Sequence, residues 1–129
     1  MEMKGYLHQI HPILPVKDVV EALDFYLNRL GFKIGFADDS KSPKYAGVLR
    51  DGIEIHLQWH DAKEWELDVD RPMLRIVTQN IEALFDEYAD KNVFHAHTLL
   101  RETAWGTREF AFYDPFKNGL TFYRDSNSD

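Results

Sequence analysis

The chain contains an internal duplication, and this repeat constrains the fold more than any other feature of the sequence. Each half runs strand, helix and then three strands, with a hairpin last, over about 60 residues. The tripeptide Glu-Ala-Leu occurs at residues 21–23 in the first predicted helix and again at residues 82–84 in the second. We therefore predict an α+β fold made of two βαβββ modules in one chain.

Turn and capping residues define the elements of the first module. Pro15 ends the first predicted strand, Asp18 is the N-cap of an amphipathic helix, and Gly31 is its C-terminal stop. The dipeptide Asp51-Gly52 favours a tight two-residue turn and therefore joins two strands as a hairpin. The predicted strands of this module are residues 6–14, 32–36, 45–50 and 53–59.

Alternation within two of these strands predicts which side chains share a face. Phe32, Ile34 and Phe36 lie on one face of their strand, because successive side chains point to opposite sides. On the fourth strand, three polar side chains share a face: Glu54, His56 and Gln58.

The second module repeats the pattern. Gln79 or Asn80 caps its helix, which ends near Lys91, and the segment 114–119 supplies the Pro, Asn and Gly of a chain reversal. The predicted strands are residues 72–78, 94–99, 108–113 and 119–123. A single domain, residues 1–129, then comprises module one (about 5–60), a charged connector (about 61–70) and module two (about 71–125).

Composition excludes several functional classes. The chain has no cysteine, so disulfides, thiolate metal ligands and a thiol nucleophile are excluded, which fits a reducing cytoplasm. The formal charge of −7 disfavours nucleic acid as a partner and favours cationic ligands. We expect a cytoplasmic protein without membrane association, because there is neither a signal-peptide pattern nor a run of about 18 apolar residues. Motifs of serine hydrolases and phosphate-binding loops are also missing.

Three segments resemble motifs of a known superfamily. They are L-P-V-K-D before the first helix, F-Y-x-x-x-L-G-F at its end, and W-G-T-R-E-F-A-F-Y-D-P-F-K-N near the C terminus. With the duplicated βαβββ unit, they make the chain similar to the vicinal oxygen chelate superfamily, and within it to the bleomycin resistance proteins. The resemblance implies the glyoxalase/bleomycin resistance fold, in which curved mixed sheets form clefts.

The resemblance also bears on metal chemistry, because enzymes of the superfamily hold a metal with side chains from both halves. His11 and either Glu54 or His56 match such positions in the first half. The matching positions in the second half fall on residues 72–73 and Thr121, which offer no imidazole or carboxylate. A catalytic site needs about three protein ligands. We therefore expect no metal cofactor and no catalysis; the alternative is a metal-dependent glyoxalase- or dioxygenase-type lyase or isomerase.

The resemblance implies instead a metal-independent protein that sequesters a planar cationic antibiotic, such as bleomycin, in clefts between the subunits of a homodimer. Aromatic residues match the walls of such clefts at three positions: Phe36, Tyr45 and Trp105. Acidic residues could attract the cation at three more: Asp38, Asp39 and Glu102. Structural alternatives remain open, with Phe36 in the core, Tyr45 at a strand end, Trp105 capping the core, and residues 38–39 in a solvated loop.

Overall fold

Each module forms its own four-stranded mixed sheet, and the two sheets have the same strand order in the computed structural model, which describes residues 3–126. The first and last strands of each module are parallel neighbours, and all other pairs are antiparallel. The first sheet runs β1 (Ile13–Val16), β4 (Ile53–Trp59), β3 (Tyr45–Arg50), β2 (Lys33–Ala37). The second runs β5 (Met73–Val77), β8 (Gly119–Asp125), β7 (Thr107–Tyr113), β6 (Arg101–Glu102). The predicted α+β fold of two βαβββ modules is confirmed.

One helix follows the first strand of each module. The helical segments are α1 (Val19–Asp24), its π-helical continuation (Phe25–Arg29), a 3-10 helix in the connector (Ala62–Glu66), and α2 (Ile81–Ala89). Asp18 caps α1 as predicted, with its Oδ1 accepting the Glu21 backbone N–H at 3.1 Å. Asn80 precedes α2 with a φ of 54°, without a side-chain bond to the helix.

A hydrophobic core lies on the helix side of both sheets. Alternate strand side chains point into it, and Leu14, Ile55 and Leu57 of the first sheet are fully buried there. The second sheet contributes three stacked rings, with centroids 5.3 to 6.4 Å apart: Phe110, Phe112 and Phe122. Burying each such side chain contributes about 1.5–3 kcal/mol to folding. The helix sides of the sheets therefore hold the fold together.

The D-P-x-x-N motif joins the two modules. Asp114 accepts hydrogen bonds from the backbone N–H groups of Phe116 and Asn118, at 2.8 and 2.9 Å. The same carboxylate accepts the Tyr26 hydroxyl of the first module at 2.9 Å, and the Asn118 amide donates to the Pro15 carbonyl at 2.9 Å. Burial raises the pKa of Asp114 and, together with the Asp114 charge, that of Tyr26. The motif is thus structural.

A second tyrosine, in module two, donates a hydrogen bond to module one. Tyr88 on α2 donates to the Leu30 carbonyl at 2.8 Å, and burial raises the pKa of Tyr88 to about 12. The same carbonyl also accepts from Arg50 at 2.7 Å, and the Arg50 guanidinium forms a two-pronged pair with Glu87 at 2.8 and 2.9 Å. This hydrogen bonding holds the β3–β4 hairpin against α2.

The first strand differs from the prediction. It spans Ile13–Val16, whereas residues 3–12 have no regular secondary structure, and Leu7 and Ile10 are exposed. Pro15 lies inside β1 and does not end it. β1 pairs only with β4, at the edge of its sheet, and an edge strand tolerates a residue without an N–H.

The predicted strand at residues 94–99 is wrong. Phe94 packs in the core against Phe85 and Phe110, but the backbone that follows is turn and coil. Thr98 accounts for this, because its hydroxyl accepts the His95 N–H and donates to the Ala111 carbonyl, both at 3.0 Å. Such side-chain bonds replace a backbone ladder. Strand β6 is consequently only two residues long and begins at Arg101.

The shared face predicted for residues 32–36 is also wrong, because β2 contains a bulge at Gly35. Ile34 pairs with Val48, whereas Phe36 pairs with Gly47, so the register shifts by one residue between them. Bulges of this kind redirect a side chain to the other face. Phe36 therefore points away from the core.

In the described part of the chain, no helix is long and apolar enough to cross a membrane.

Candidate functional site

The candidate site lies on the side of the sheets that faces away from the helices, which we call the open face. In the first sheet, alternation assigns to it Tyr45, Gly47 and Leu49 of β3, paired with Gln58, His56 and Glu54 of β4. In the second sheet it comprises Met73, Arg75 and Val77 of β5 and their neighbours on β8 and β7. Apolar open-face residues that are exposed in the single chain include Ile13, Leu49, Met73, Val77 and Tyr113. Among the described residues, the open face is therefore a partly exposed surface of mixed polarity.

Two rings form an aromatic wall on the open face of the first sheet. Phe36 and Tyr45 stack with centroids 6.0 Å apart and planes at 21°, and Phe36 is 44% exposed. Gly47 makes this possible, because a Cβ there would lie 2.3 Å from the Phe36 ring. The structure thus brings together two of the three predicted aromatic residues. It also rules out the alternative that Phe36 belongs to the core.

A line of polar contacts begins at the aromatic wall. The Tyr45 hydroxyl and His56 Nδ1 are 2.8 Å apart, and His56 Nε2 lies 2.7 Å from Glu54 Oε2. His11 Nε2 is 3.8 Å from the same carboxylate oxygen, and the His11 and His56 rings stack at 5.0 Å. His11 is placed there because the adjacent Pro12 carbonyl accepts the His56 backbone N–H at 2.9 Å. We call His11, Glu54 and His56 the polar cluster.

The polar cluster fits a divalent metal ion in its ligand types. One donor atom from each residue lies within 4.8 Å of the others, and two imidazoles with one carboxylate are a known ligand set for transition metals. The sequence offered Glu54 and His56 as alternative partners of His11, and the structure brings both to it. In the second sheet, the Thr121 hydroxyl instead donates to the Met73 sulfur at 3.3 Å, which adds no hard ligand.

The open face of the second sheet holds an ion pair that the sequence did not predict. Glu109 on β7 is only 6% exposed, and its Oε2 accepts from Arg75 at 3.2 Å and from the Thr107 hydroxyl at 2.7 Å. The Arg75 guanidinium also lies 4.2 Å from the centroid of the Tyr123 ring. An Arg on β5 and a Glu on β7 were the available signal, but their contact depends on the sheet order, in which both strands flank β8.

The three predicted acidic residues have local hydrogen-bond partners. Asp38 Oδ1 accepts the Lys44 backbone N–H at 2.9 Å, and Asp39 accepts backbone N–H groups of its own loop. The bonds from Ser42 and then Lys41 lower the pKa of Asp39. Glu102 pairs with Ser126 and Arg108, and the bond from Ser126 is the main cause of its lowered pKa. All three carboxylates therefore help to order loops or strand ends.

Trp105 lies in the turn between β6 and β7 and is 64% exposed, so it does not cap the core. Among the described residues, its ring makes no ring contact with Phe36 or Tyr45. Gly106, with a φ of 88°, allows the sharp turn that presents this ring. Thr107, which follows Gly106, is buried and bonds Thr103 and Glu109. Trp105 is thus available to a ligand or a second chain.

Two grooves run between the modules. The first, of about 720 Å³, which we call the ligand groove, is lined by His11 and Glu54 from module one and by Met73, Arg75 and Val77 from module two. The second, of about 590 Å³, is lined by Arg50, Glu87 and Tyr88, whose polar groups already bond one another. The ligand groove is the better candidate, because it joins the polar cluster and so continues towards the aromatic wall.

Comparisons with known proteins agree with this geometry. The sequence model of a glyoxalase superfamily protein family matches residues 3–129. Bleomycin resistance proteins of Geobacillus stearothermophilus and Staphylococcus aureus are each 27% identical over 132 residues, covering 91% of this chain and 96% of the relative.

A crystal structure of the bleomycin-binding protein from Streptomyces verticillus, complexed with copper(II)-bleomycin, has a TM-score of 0.73 and 27% identity over 93% of this chain and 97% of that one. The fold, the duplicated module and a family match over nearly the whole length lead to one assignment. The chain belongs to the vicinal oxygen chelate superfamily, which is also called the glyoxalase/bleomycin resistance protein/dioxygenase superfamily.

Proposed function

We propose that this chain is a binding protein that sequesters a planar, cationic antibiotic of the bleomycin type. The observation that carries the proposal is the aromatic wall on the open face, where Phe36 is 44% exposed and stacks on the partly buried Tyr45. Stacking of a flat ring on protein aromatics contributes about 1–3 kcal/mol per ring and tolerates different ring systems. The formal charge of −7 attracts a cationic tail, and the similarity to bleomycin resistance proteins supports this ligand class.

We further propose that the protein acts as a homodimer with two equivalent clefts. Exposed apolar residues on the open faces, such as Leu49, Met73 and Val77, favour contact with a second copy. A two-fold dimer could place the turn that carries Trp105 in one subunit opposite the aromatic wall of the other. Sedimentation at micromolar concentration should give about twice the 15.2 kDa chain mass. A species of single-chain mass only would contradict the shared cleft.

The binding proposal is tested by titrating the protein with bleomycin while its tryptophan fluorescence and the heat of binding are recorded. Phe36→Ala should weaken binding by about 5- to 200-fold, which corresponds to about 1–3 kcal/mol, while the thermal midpoint stays close to that of the wild type. Val20→Ala, exposed on α1, is the control and should leave affinity unchanged. No saturable binding of bleomycin to the wild type would contradict the proposed ligand.

A second candidate function is a metal-dependent enzyme, and the polar cluster is the observation that favours it. His11, Glu54 and His56 would hold the ion, which would act as a Lewis acid at the ligand groove. Against a resident metal, both His56 nitrogens already have hydrogen-bond partners, Tyr45 and Glu54, so an ion must displace one of them. We therefore keep metal-independent binding as the first proposal.

Metal content distinguishes the two functions. Protein purified without chelator should contain far less than one equivalent of transition metal per chain, and chelator should not change its affinity for bleomycin. About one equivalent of metal that is lost in His11→Ala but kept in His8→Ala, an exposed histidine outside the cluster, would favour the enzyme.

A further inference from the structure

Arg75 is fixed in position although its side chain is 44% exposed. One Nη atom donates to Glu109 Oε2, and this carboxylate is itself held by the Thr107 hydroxyl. The guanidinium also stacks over the Tyr123 ring at 4.2 Å. A guanidinium has five N–H donors in a planar fork. Within the described residues, Arg75 uses one of these groups in a hydrogen bond, so donors remain for a ligand.

Other arginines of the described chain show what is unusual about Arg75. Arg50 bonds a backbone carbonyl, a tyrosine hydroxyl and both oxygens of Glu87, and its side chain is 26% exposed. Arg71 is 9% exposed and stacks on Trp65. Arg108 divides its donors between two carboxylates. The guanidinium groups of these three arginines hold parts of the fold together. The Arg75 guanidinium is also held in position, but its side chain is exposed in a groove.

The surroundings of Arg75 define what it can bind. It lines the ligand groove together with His11 and Glu54 and with the apolar side chains of Leu49, Met73 and Val77. Glu54 bonds His56, whose ring contacts Phe36 at 5.2 Å, so the groove and the aromatic wall share one continuous surface. A ligand long enough to reach from the wall into the groove would place a flat ring on Phe36 and an acidic group on Arg75.

We propose that Arg75 is a ligand-recognition residue that binds a carboxylate or another paired-oxygen group, so that the planar cationic ligand of the proposed function also carries such a group. This inference rests on the proposed binding function of the open face. The planar fork of Arg matches two oxygens at once, and its anchoring by Glu109 and Tyr123 removes side-chain freedom before the ligand arrives. Less entropy is then lost on binding.

The test uses two probes with the same ring, 2-naphthoate and the uncharged 2-naphthylmethanol, titrated by calorimetry or NMR. Because removing Arg75 alone leaves Glu109 buried without its cation, the main variant is the double change Arg75→Met with Glu109→Gln. It should bind 2-naphthoate about 10-fold or more weakly, as expected for a charge-assisted pair, and 2-naphthylmethanol within about 2-fold of the wild type. Lys63→Met, an exposed charge outside the groove, should change neither affinity.

Arg75→Lys provides a second variant that keeps the charge and the partner of Glu109 but loses the fork, and it should also weaken 2-naphthoate binding selectively. Equal affinity of wild type and both variants for 2-naphthoate, or no saturable binding of 2-naphthoate to the wild type, would overturn the role of Arg75. Bleomycin titrated into the same proteins tests the proposed function separately. Bleomycin binding without any effect of Arg75 refutes this inference alone, whereas Arg75-dependent binding of 2-naphthoate without bleomycin binding refutes the bleomycin assignment alone.

Discussion

The open faces of the two modules differ far more than their buried faces. Both sheets have the same strand order, and both pack alternate apolar side chains against the helices. On the open face, module one presents the aromatic wall and the polar cluster, whereas module two presents the pair formed by Arg75 and Glu109. The repeated pattern therefore specifies the core, whereas each open face carries its own set of functional side chains.

The largest expected difference is in the unfolding free energy lost when a phenylalanine is removed from a buried face or from an open face. Phe122→Ala should cost about 3–5 kcal/mol of unfolding free energy, because Phe122 is buried in the ring stack of module two. Phe36→Ala should cost about 1 kcal/mol or less, because that ring is half exposed. Urea unfolding of both variants checks the difference. Equal losses would mean that the open face is also structural.

The two tyrosines that donate hydrogen bonds from one module to the other should differ in their contribution to stability. Tyr26→Phe should lose about 1–3 kcal/mol, because it removes a donor from the buried carboxylate of Asp114. Tyr88→Phe should lose about 1 kcal/mol or less, because the Leu30 carbonyl keeps its bond from Arg50. Chemical unfolding with an unchanged denaturant slope would measure both values. The reverse order would show that the Asp114 network is not the main link between the modules.

A smaller effect is expected at the surface link between the hairpin and α2. The hydrogen bond from Arg50 lowers the pKa of Glu87 in the folded state, so the folded protein binds fewer protons than the unfolded chain as the pH falls below about 4.3. The pairing of Glu87 with Arg50 therefore stabilises the folded state above that pH, and this stabilisation is lost as the pH falls through the lowered pKa of Glu87. Glu87→Gln should therefore cost about 1 kcal/mol or less at pH 7, and less still near pH 3. A difference that grows on acidification would contradict the pairing.

Local signals in the sequence predicted the fold well where they set the structure directly. The hairpin of β3 and β4 has the predicted limits, because Asp51 adopts the positive φ that its turn requires. The first strand was misplaced because β1 is defined by pairing with β4, about 40 residues away in the chain. The strand at residues 94–99 was wrong because Thr98 satisfies the backbone locally. Pairing between strands that are far apart in the chain, and side-chain hydrogen bonds to the backbone, produce only weak sequence patterns.

The candidate site was predictable only in part, because its contacts also depend on strand register and sheet order. Resemblance to known motifs identified Phe36 and Tyr45, but their contact depends on the bulge at Gly35 and on the space at Gly47. The Arg75 and Glu109 pair was missed, since it requires knowing that β5 and β7 flank β8. Sheet order, and not strand identity, brings these charges together.

In the proposed dimer, the open faces of two subunits meet to form each ligand site. A mixed dimer distinguishes such a shared site from a site within one chain; it carries Phe36→Ala in one subunit and Trp105→Ala in the other and is isolated through two different affinity tags. Both side chains are exposed, so the variants should fold normally. Each substitution alone, present in both subunits, should weaken bleomycin binding by about 5- to 200-fold.

If Phe36 of one subunit faces Trp105 of the other, the mixed dimer contains one cleft with both substitutions and one intact cleft. Calorimetry should then find one bleomycin bound per dimer with the affinity of the wild type, and a second site that is much weaker. Two equal sites, both weakened, would contradict the account, because they would mean that each site is built within a single chain.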